Sequence, residues 1–252
     1  MIAGIFHQGS GLGNQLHRYV AARVLAMKKG VGFGMVAPEF FKGRDFMNLE
    51  MGQKVECELE IENSSGKVTP LGVAIWEEGK YEYNPGFEDV LNNTVIDGEF
   101  QDERYFKNYL REIREWLKVE PLQIEDYKCV INFRGGEYVG VPDLFLPKEY
   151  WQLAINRVRK ENMNVVFEVH TDDPETASKF FPSGYPIIHD IGLNWRSIRY
   201  TKYLILSNSS FAILPALLNE GVKLIVAPEF WGGRNVGQWR YPMNNYKKFT
   251  YI

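Results

Sequence analysis

From residue 128 onward, short apolar runs alternate with segments of helical period, and that alternation leaves few folds open to the chain. Lys128–Phe133 reads as a strand and 148–160 as a helix. Strands at 165–170, 187–189, 203–206 and 223–227 then alternate with helices at 175–180, 197–202 and 211–219, the last closed by Gly221. Parallel neighbours need a crossover, and a helix supplies it, so this rhythm predicts βαβ units and a mostly parallel sheet. Ligands of such sheets sit outside the carboxyl ends of the strands.

The first half carries the same rhythm more loosely. Residues 2–6 read as a strand and 14–29 as a helix, with Leu16, Val20, Val24 and Met27 at helical spacing and Gly30 as the stop. Strands are expected at 31–36, 55–61, 68–76 and 94–100, and a helix at 105–117. The acidic stretch 50–82 is punctuated by Asn63-Ser64-Ser65-Gly66. Glu120-Pro121 breaks the pattern, so the expected halves are 1–120 and 121–252, each an α/β unit. Residues 36–44 echo residues 226–234, Val-Ala-Pro-Glu-Phe in both, which fits either two repeated halves or reuse of one strand-exit turn.

The chain has 252 residues, of which 45% are hydrophobic, enough for two small cores. A formal net charge of -3 speaks against a dedicated nucleic-acid binder. Cys57 and Cys129 have no metal-ligand spacing and no partners for a disulfide framework. His7, His17, His170 and His189 are scattered, so no metal and no bound cofactor is expected. The start lacks a basic export region, and no run approaches the ~20 apolar residues a membrane span needs. A cytoplasmic protein is the expectation. The Asn-x-Ser/Thr triplets at Asn63, Asn92 and Asn208 read as chance.

Three clusters carry chemistry. Gly9-Ser10-Gly11-Leu12-Gly13-Asn14-Gln15 lies between the first strand and the first helix. Its glycines allow a tight turn and close approach, and the helix behind it offers free N–H groups to an anion. It is near a dinucleotide fingerprint, with Asn14 in the third small position and Glu39 as the acidic residue that pattern needs, so a nicotinamide-dependent oxidoreductase stays open. Phe133-Arg134-Gly135-Gly136-Glu137-Tyr138 puts a permanently charged, two-pronged guanidinium at a strand's carboxyl end, suited to a diphosphate. Ser207-Asn208-Ser209-Ser210-Phe211 starts a helix with small hydroxyls, fit for an anion or an ordinary cap.

In order along the chain, these segments resemble the α-1,2-fucosyltransferase family. Gly11 to Gln15 is similar to its Gly-Leu-Gly-Asn-Gln, and Val130 to Tyr138 to its His-x-Arg-Arg-Gly-Asp-Tyr. Asn208 to Phe211 is similar to its Asn-Ser-Thr-Phe, and Ala227 to Trp231 to its Ala-Pro-x-x-Trp. Residues 98–106, Thr171-Asp172-Asp173 and Tyr241-Pro242 also fall in the family's order. The resemblance implies two Rossmann-like halves facing a cleft (the GT-B type), a GDP-fucose donor bound mainly by the second half, a glycan acceptor, no metal, and inversion at the sugar.

Carried over residue by residue, the resemblance places Arg134 at the diphosphate, with Asn14 and the turn glycines Gly11 and Gly13 facing it. Asn208, Ser209 and Ser210 lie near the phosphates, and Asp173 frames the pocket. Asn132 stands where the family has histidine, Gly135 where it has a second arginine, and Glu137 where it has aspartate. Asn194 falls near the family's base-reading aspartate, with Asp190 as a substitute. Glu137 and Asp143 are candidate bases for the acceptor hydroxyl. Trp231 and Trp239 are candidate acceptor contacts, whereas Trp151, His170 and His189 read as packing residues. The thinned arginine motif leaves a non-catalytic sugar-nucleotide or glycan-binding module open as well.

Overall fold

A computed structural model describes residues 1–62, 64–79, 82–232 and 246–252. Asn63, Gly233, Arg234, Trp239, Tyr241 and Pro242, singled out above, lie outside the described residues. The chain forms two units, Met1–Val119 and Glu120–Ile252.

In the first unit, β1 (Ile2–Ile5) runs into α1 (Leu12–Lys29), which returns to β2 (Phe33–Val36). Leu16, Val20 and Val24 lie on the buried face of α1. Gly30 ends the helix in the left-handed region at φ 64°, its N–H donating to the carbonyls of Ala26 and Met27. Then come β3 (Gln53–Lys54), β4 (Glu58–Glu62), β5 (Lys67–Leu71), β6 (Ala74–Glu77), β7 (Thr94–Asp97) and α2 (Leu110–Trp116). The sheet order is β3-β2-β1-β7-β6, parallel throughout, and β4 and β5 form a separate antiparallel hairpin.

Three expectations shift here. The 55–61 strand starts later, as β4, and the two-residue β3 lies ahead of it. The 68–76 strand breaks at Gly72, φ 78°, into β5 and β6. The 105–117 helix keeps only its second half. Tyr105 and Phe106 are buried, and Tyr105 packs against Phe87 and Phe100 with ring centroids 4.8 and 5.3 Å apart, which holds that segment in short 3-10 turns.

His17 in α1 is fully enclosed. Its Nδ1 lies 2.9 Å from the Gly13 carbonyl, and its Nε2 has no partner among the described residues. Charging the ring would bury an unmatched N–H, and burial lowers its pKa from 6.5 to about 4. The unfolded chain therefore binds more protons between those values, and the stabilisation, complete above pH 6.5, is lost as pH falls toward 4. Wild type is expected to lose about 2 kcal/mol more than His17→Gln between pH 7 and pH 5 in denaturant unfolding. Equal losses in the two proteins would overturn this.

The second unit comprises β8 (Lys128–Phe133), α3 (Lys148–Glu161), β9 (Val166–Thr171), α4 (Pro174–Phe180), β10 (Ile187–Ile188), α5 (Ile191–Tyr200), β11 (Tyr203–Ile205), α6 (Ser210–Leu218), β12 (Leu224–Ala227) and β13 (Thr250–Tyr251). The order β10-β9-β8-β11-β12-β13, all parallel, is the doubly wound arrangement. Phe133, Trp151, Phe181 and the aliphatics of β8, β9, β11 and β12 make its core. Trp151 is a core residue, as its helical setting predicts.

α5 begins well before the expected 197–202 helix. Gly192 and Asn194 read as loop formers, but Asp190 accepts a hydrogen bond from the Leu193 N–H at 2.6 Å, and Trp195 and Ile198 are buried beneath. β13 is two residues long, too short to show a period. α6 is buried nearly all round, and Lys248 Nζ closes its carboxyl end, donating to the carbonyls of Leu217 and Ala216 at 3.0 and 3.2 Å and to that of Asn219. The internal echo marks neither equivalent strands nor one shared turn: Ala37 lies at φ 53° ahead of a 3-10 turn at Pro38–Phe40, whereas Ala227 is the last residue of β12 and residues 228–230 form no 3-10 turn. β2 lies next to the first strand of its sheet and β12 two places from β8, so the two are not equivalent.

Candidate functional site

In the second unit the strand order reverses at β8. The chain leaves toward β9 on one side and later returns as β11 on the other, so the carboxyl ends of β8 and β11 border a crevice. A cavity of about 440 Å³ opens there. Asn132 and Arg134 reach it from β8, Thr171 and Asp172 from β9, Asp190 and Asn194 from around the start of α5, and Ser209 from the start of α6. Phe133, His189, Ile191 and Phe211 complete the wall. The volume is in the range of small-molecule sites.

Arg134 has a fixed setting. One guanidinium nitrogen is 2.6 Å from Asp172 Oδ2, and the other is 2.8 Å from Glu137 Oε1. The guanidinium carbon is 5.4 Å from the centre of the Tyr138 ring. Asp172 Oδ1 also accepts the Gly135 N–H at 3.0 Å. The two glycines permit this approach. A Cβ on Gly135 would come within 2.6 Å of the Asp173 Cβ, and one on Gly136, φ +40°, within 2.4 Å of Asp172 Oδ2. A second arginine has no room at 135 while that aspartate pair is in place.

The remaining expected residues divide into those at the cavity and those beside it. Asn132 Oδ1 accepts from the Ser207 hydroxyl at 2.8 Å, and its backbone carbonyl accepts the Ser207 N–H, which joins β8 to β11 at the crevice. Ser209 sits at the amino end of α6 and makes no side-chain cap, so the first-turn N–H groups there have no side-chain acceptor. Ser210 is the first residue of α6 and is not on the cavity wall. Asn208 is buried and donates to the carbonyls of Leu144, at 2.8 Å, and Trp231, so it braces the loops. Asp173 caps α4, accepting from the Thr176 N–H at 3.0 Å, and hydrogen bonds to Thr176 hold its carboxyl below the usual range. Asp143 is half-buried and off the cavity wall.

Below the cavity floor His170 is fully buried, 2.7 Å from Glu168 Oε1 and 2.8 Å from Asn194 Oδ1. The His170 hydrogen bond holds the Glu168 carboxyl below its ordinary range, with Lys128 at 3.3 Å adding to it. Sequence reasoning placed Asp172 in a matching segment without giving it a role and passed over Glu168. Pro174 held the clue for the first, since proline at the opening position of a helix marks the residue before it, Asp173, as the cap.

In the first unit, Gly11 is the residue preceding α1, and Gly13 and Asn14 lie in its first turn. Gly9, at φ 80°, makes the turn itself. α1 has no side-chain cap and no acidic residue in that turn. Asn14 Oδ1 accepts from Gln101 Nε2 at 3.2 Å. Arg18 donates to the Gly98 carbonyl at 2.7 Å, the Ser10 hydroxyl at 3.0 Å and Glu99 at 3.0 Å. His7 lies 2.9 Å from Asp97, and its Nδ1 accepts the Val68 N–H at 3.0 Å. Burial alone would raise the Asp97 pKa, but His7 and Arg18 hold its carboxyl low. His7, Arg18, Asp97 and Glu99 carry no motif, and only the fold collects them at the ends of β1 and β7. Glu39 is exposed in a 3-10 turn after β2.

Among the described residues no group of histidine, cysteine and acidic side chains has the arrangement of a metal site, and no helix is long and apolar enough to cross a membrane. No family model and no curated protein matches the chain. Solved structures do. The fucosyltransferase NodZ from Bradyrhizobium aligns with TM-score 0.51 at 11% identity, over 89% of this chain and 94% of that one. NodZ α-1,6-fucosyltransferase soaked with GDP-fucose aligns with TM-score 0.51 at 11% identity, over 90% and 94%. The likeness is one of fold, two α/β units with mostly parallel sheets in the GT-B manner.

Proposed function

We propose that this chain is a glycosyltransferase that moves a sugar from a nucleotide-sugar donor, GDP-fucose, to a hydroxyl of a glycan with inversion and without a metal. The observation that carries the reading is Arg134, a guanidinium at the carboxyl end of β8, on the wall of the crevice where the doubly wound sheet reverses. The fold shared with NodZ supports a transferase of this architecture. The ordered sequence resemblance supports the choice of fucose.

Cleavage of the sugar–phosphate bond develops negative charge on the leaving diphosphate. Arg134 and the open N–H groups at the start of α6 sit where a diphosphate in this cavity would meet them. Charge placed there stabilises the transition state more than the ground state, which is what accelerates transfer. Asn132 and Ser209 supply polar contacts along the wall, and Asn194 and Asp190 supply them at the far end. We assign Gly11, Gly13 and Asn14 to the acceptor half of the reaction, where the uncapped start of α1 offers N–H donors to an oxygen ligand.

The reading is tested by thermal melting with GDP, ADP and NAD, followed by a GDP-release assay with GDP-fucose and a glycan panel. GDP at about 100 times its dissociation constant is expected to add about 2.7 kcal/mol of stability. Stabilisation by NAD alone would point instead to an oxidoreductase, and GDP binding without turnover to a binding module.

A further inference from the structure

Arg134 is satisfied twice, and the two acceptors differ in kind. Asp172 is 29% exposed, emerges from the end of β9, and is anchored by the Gly135 N–H as well as by the guanidinium. Glu137 is 71% exposed, sits on the short turn just after Arg134, and its only hydrogen bond among the described residues is to that arginine. A diphosphate that grips both terminal nitrogens of Arg134 from the cavity competes with these two carboxylates, one on each nitrogen. Removing Asp172 would also leave the Gly135 N–H without its acceptor and free the double-glycine turn packed against it. Removing Glu137 asks only that an exposed side chain rotate into water.

We propose that Glu137 is a displaceable stand-in for a ligand phosphate oxygen, and that Asp172 is the positioning residue that keeps the Arg134 guanidinium facing the cavity after Glu137 has left. The proposal rests on the assignment of the cavity to a diphosphate ligand. It gives the two carboxylates opposite effects on affinity. Neutralising Glu137 removes a competitor and a repelling charge, so binding tightens. Neutralising Asp172 releases the guanidinium, so binding weakens even though a negative charge has been removed. A purely structural role, or simple charge balance, would move both variants in the same direction.

The test uses the full chain with E137Q and D172N, titrated with GDP and with inorganic pyrophosphate. E137Q is expected to bind both about two- to fivefold more tightly, the range of an exposed ion pair. D172N is expected to bind them about tenfold more weakly or worse, with D172E recovering part of the loss. A second readout needs no ligand. Phenylglyoxal modification of Arg134, followed by peptide mass spectrometry, is expected to be faster in E137Q than in wild type. If neither probe binds any of the proteins but E137Q still labels faster, the diphosphate reading fails and the displaceable contact stands. If GDP binds wild type while E137Q shows unchanged or weaker affinity and unchanged labelling, the displaceable contact is overturned and the diphosphate reading stands. If neither probe binds any of the proteins and E137Q labels no faster than wild type, both are overturned, and a D172N that binds as well as wild type overturns the positioning role.

Discussion

Arg134→Ala is expected to lower sugar transfer by about 100- to 1,000-fold, equivalent to about 2.7–4 kcal/mol of transition-state stabilisation. The size follows from where the charge sits. Arg134 is aimed into a partly enclosed cavity from the end of a buried strand, so bulk water cannot replace it cheaply. The same substitution is expected to leave the melting temperature within a few degrees of wild type, because the side chain contacts carboxylates that water can reach and no core residue. Arg134→Lys keeps the charge and loses the fork, so its rate falls between the two. Initial-rate measurements with melting curves on the same preparations separate these effects. Near wild-type turnover in the alanine variant would remove the assigned role.

One residue earlier, the expected effect is on folding. Phe133 is 1% exposed and lies at the centre of an aromatic cluster. Its ring centroid is 5.2 Å from Trp151, 5.3 Å from Phe180, 5.4 Å from Phe181 and 6.0 Å from Phe145. Phe133→Ala leaves a cavity among rigid rings that cannot collapse to fill it, and it should cost about 3–5 kcal/mol. For a chain of this size that corresponds to a fall in melting temperature of roughly 10 °C or more. Calorimetry checks it, and a loss under about 1 kcal/mol would mean that the cluster is far more adaptable than dense packing implies. Phe133, the last residue of β8, thus joins the aromatic core to the cavity wall, and Arg134 just beyond it presents charge to the same cavity.

Residues 128–227 revealed their architecture because buried parallel strands are continuous apolar runs and the helices between them keep a clear period. Phe133-Arg134 was legible for the same reason, since the end of an apolar run marks the carboxyl end of a strand. The 50–82 segment was less so. β4 is exposed along its whole length, so no inside-outside pattern records where it ends or which strand it pairs with. α5 starts ahead of the expected 197–202 helix because tertiary burial of Trp195 overrides the weak helix propensity of Gly192 and Asn194. Asp172 and Asp173 look interchangeable in one dimension. Their roles diverge because strand geometry turns successive side chains to opposite faces at the end of β9, one toward Arg134 and the other onto the first turn of α4. The His7–Asp97 and Arg18–Glu99 contacts join residues more than 80 positions apart, and no local rule brings them together.

α6 is held at its rear and open at its front. Three carbonyls at its carboxyl end are gathered by the single ammonium of Lys248, while its first turn looks onto the crevice. The helix therefore works as a rod socketed at the back. Whatever disturbs Lys248 tugs on the same rod whose front tip borders the crevice, so the two places share one mechanical element.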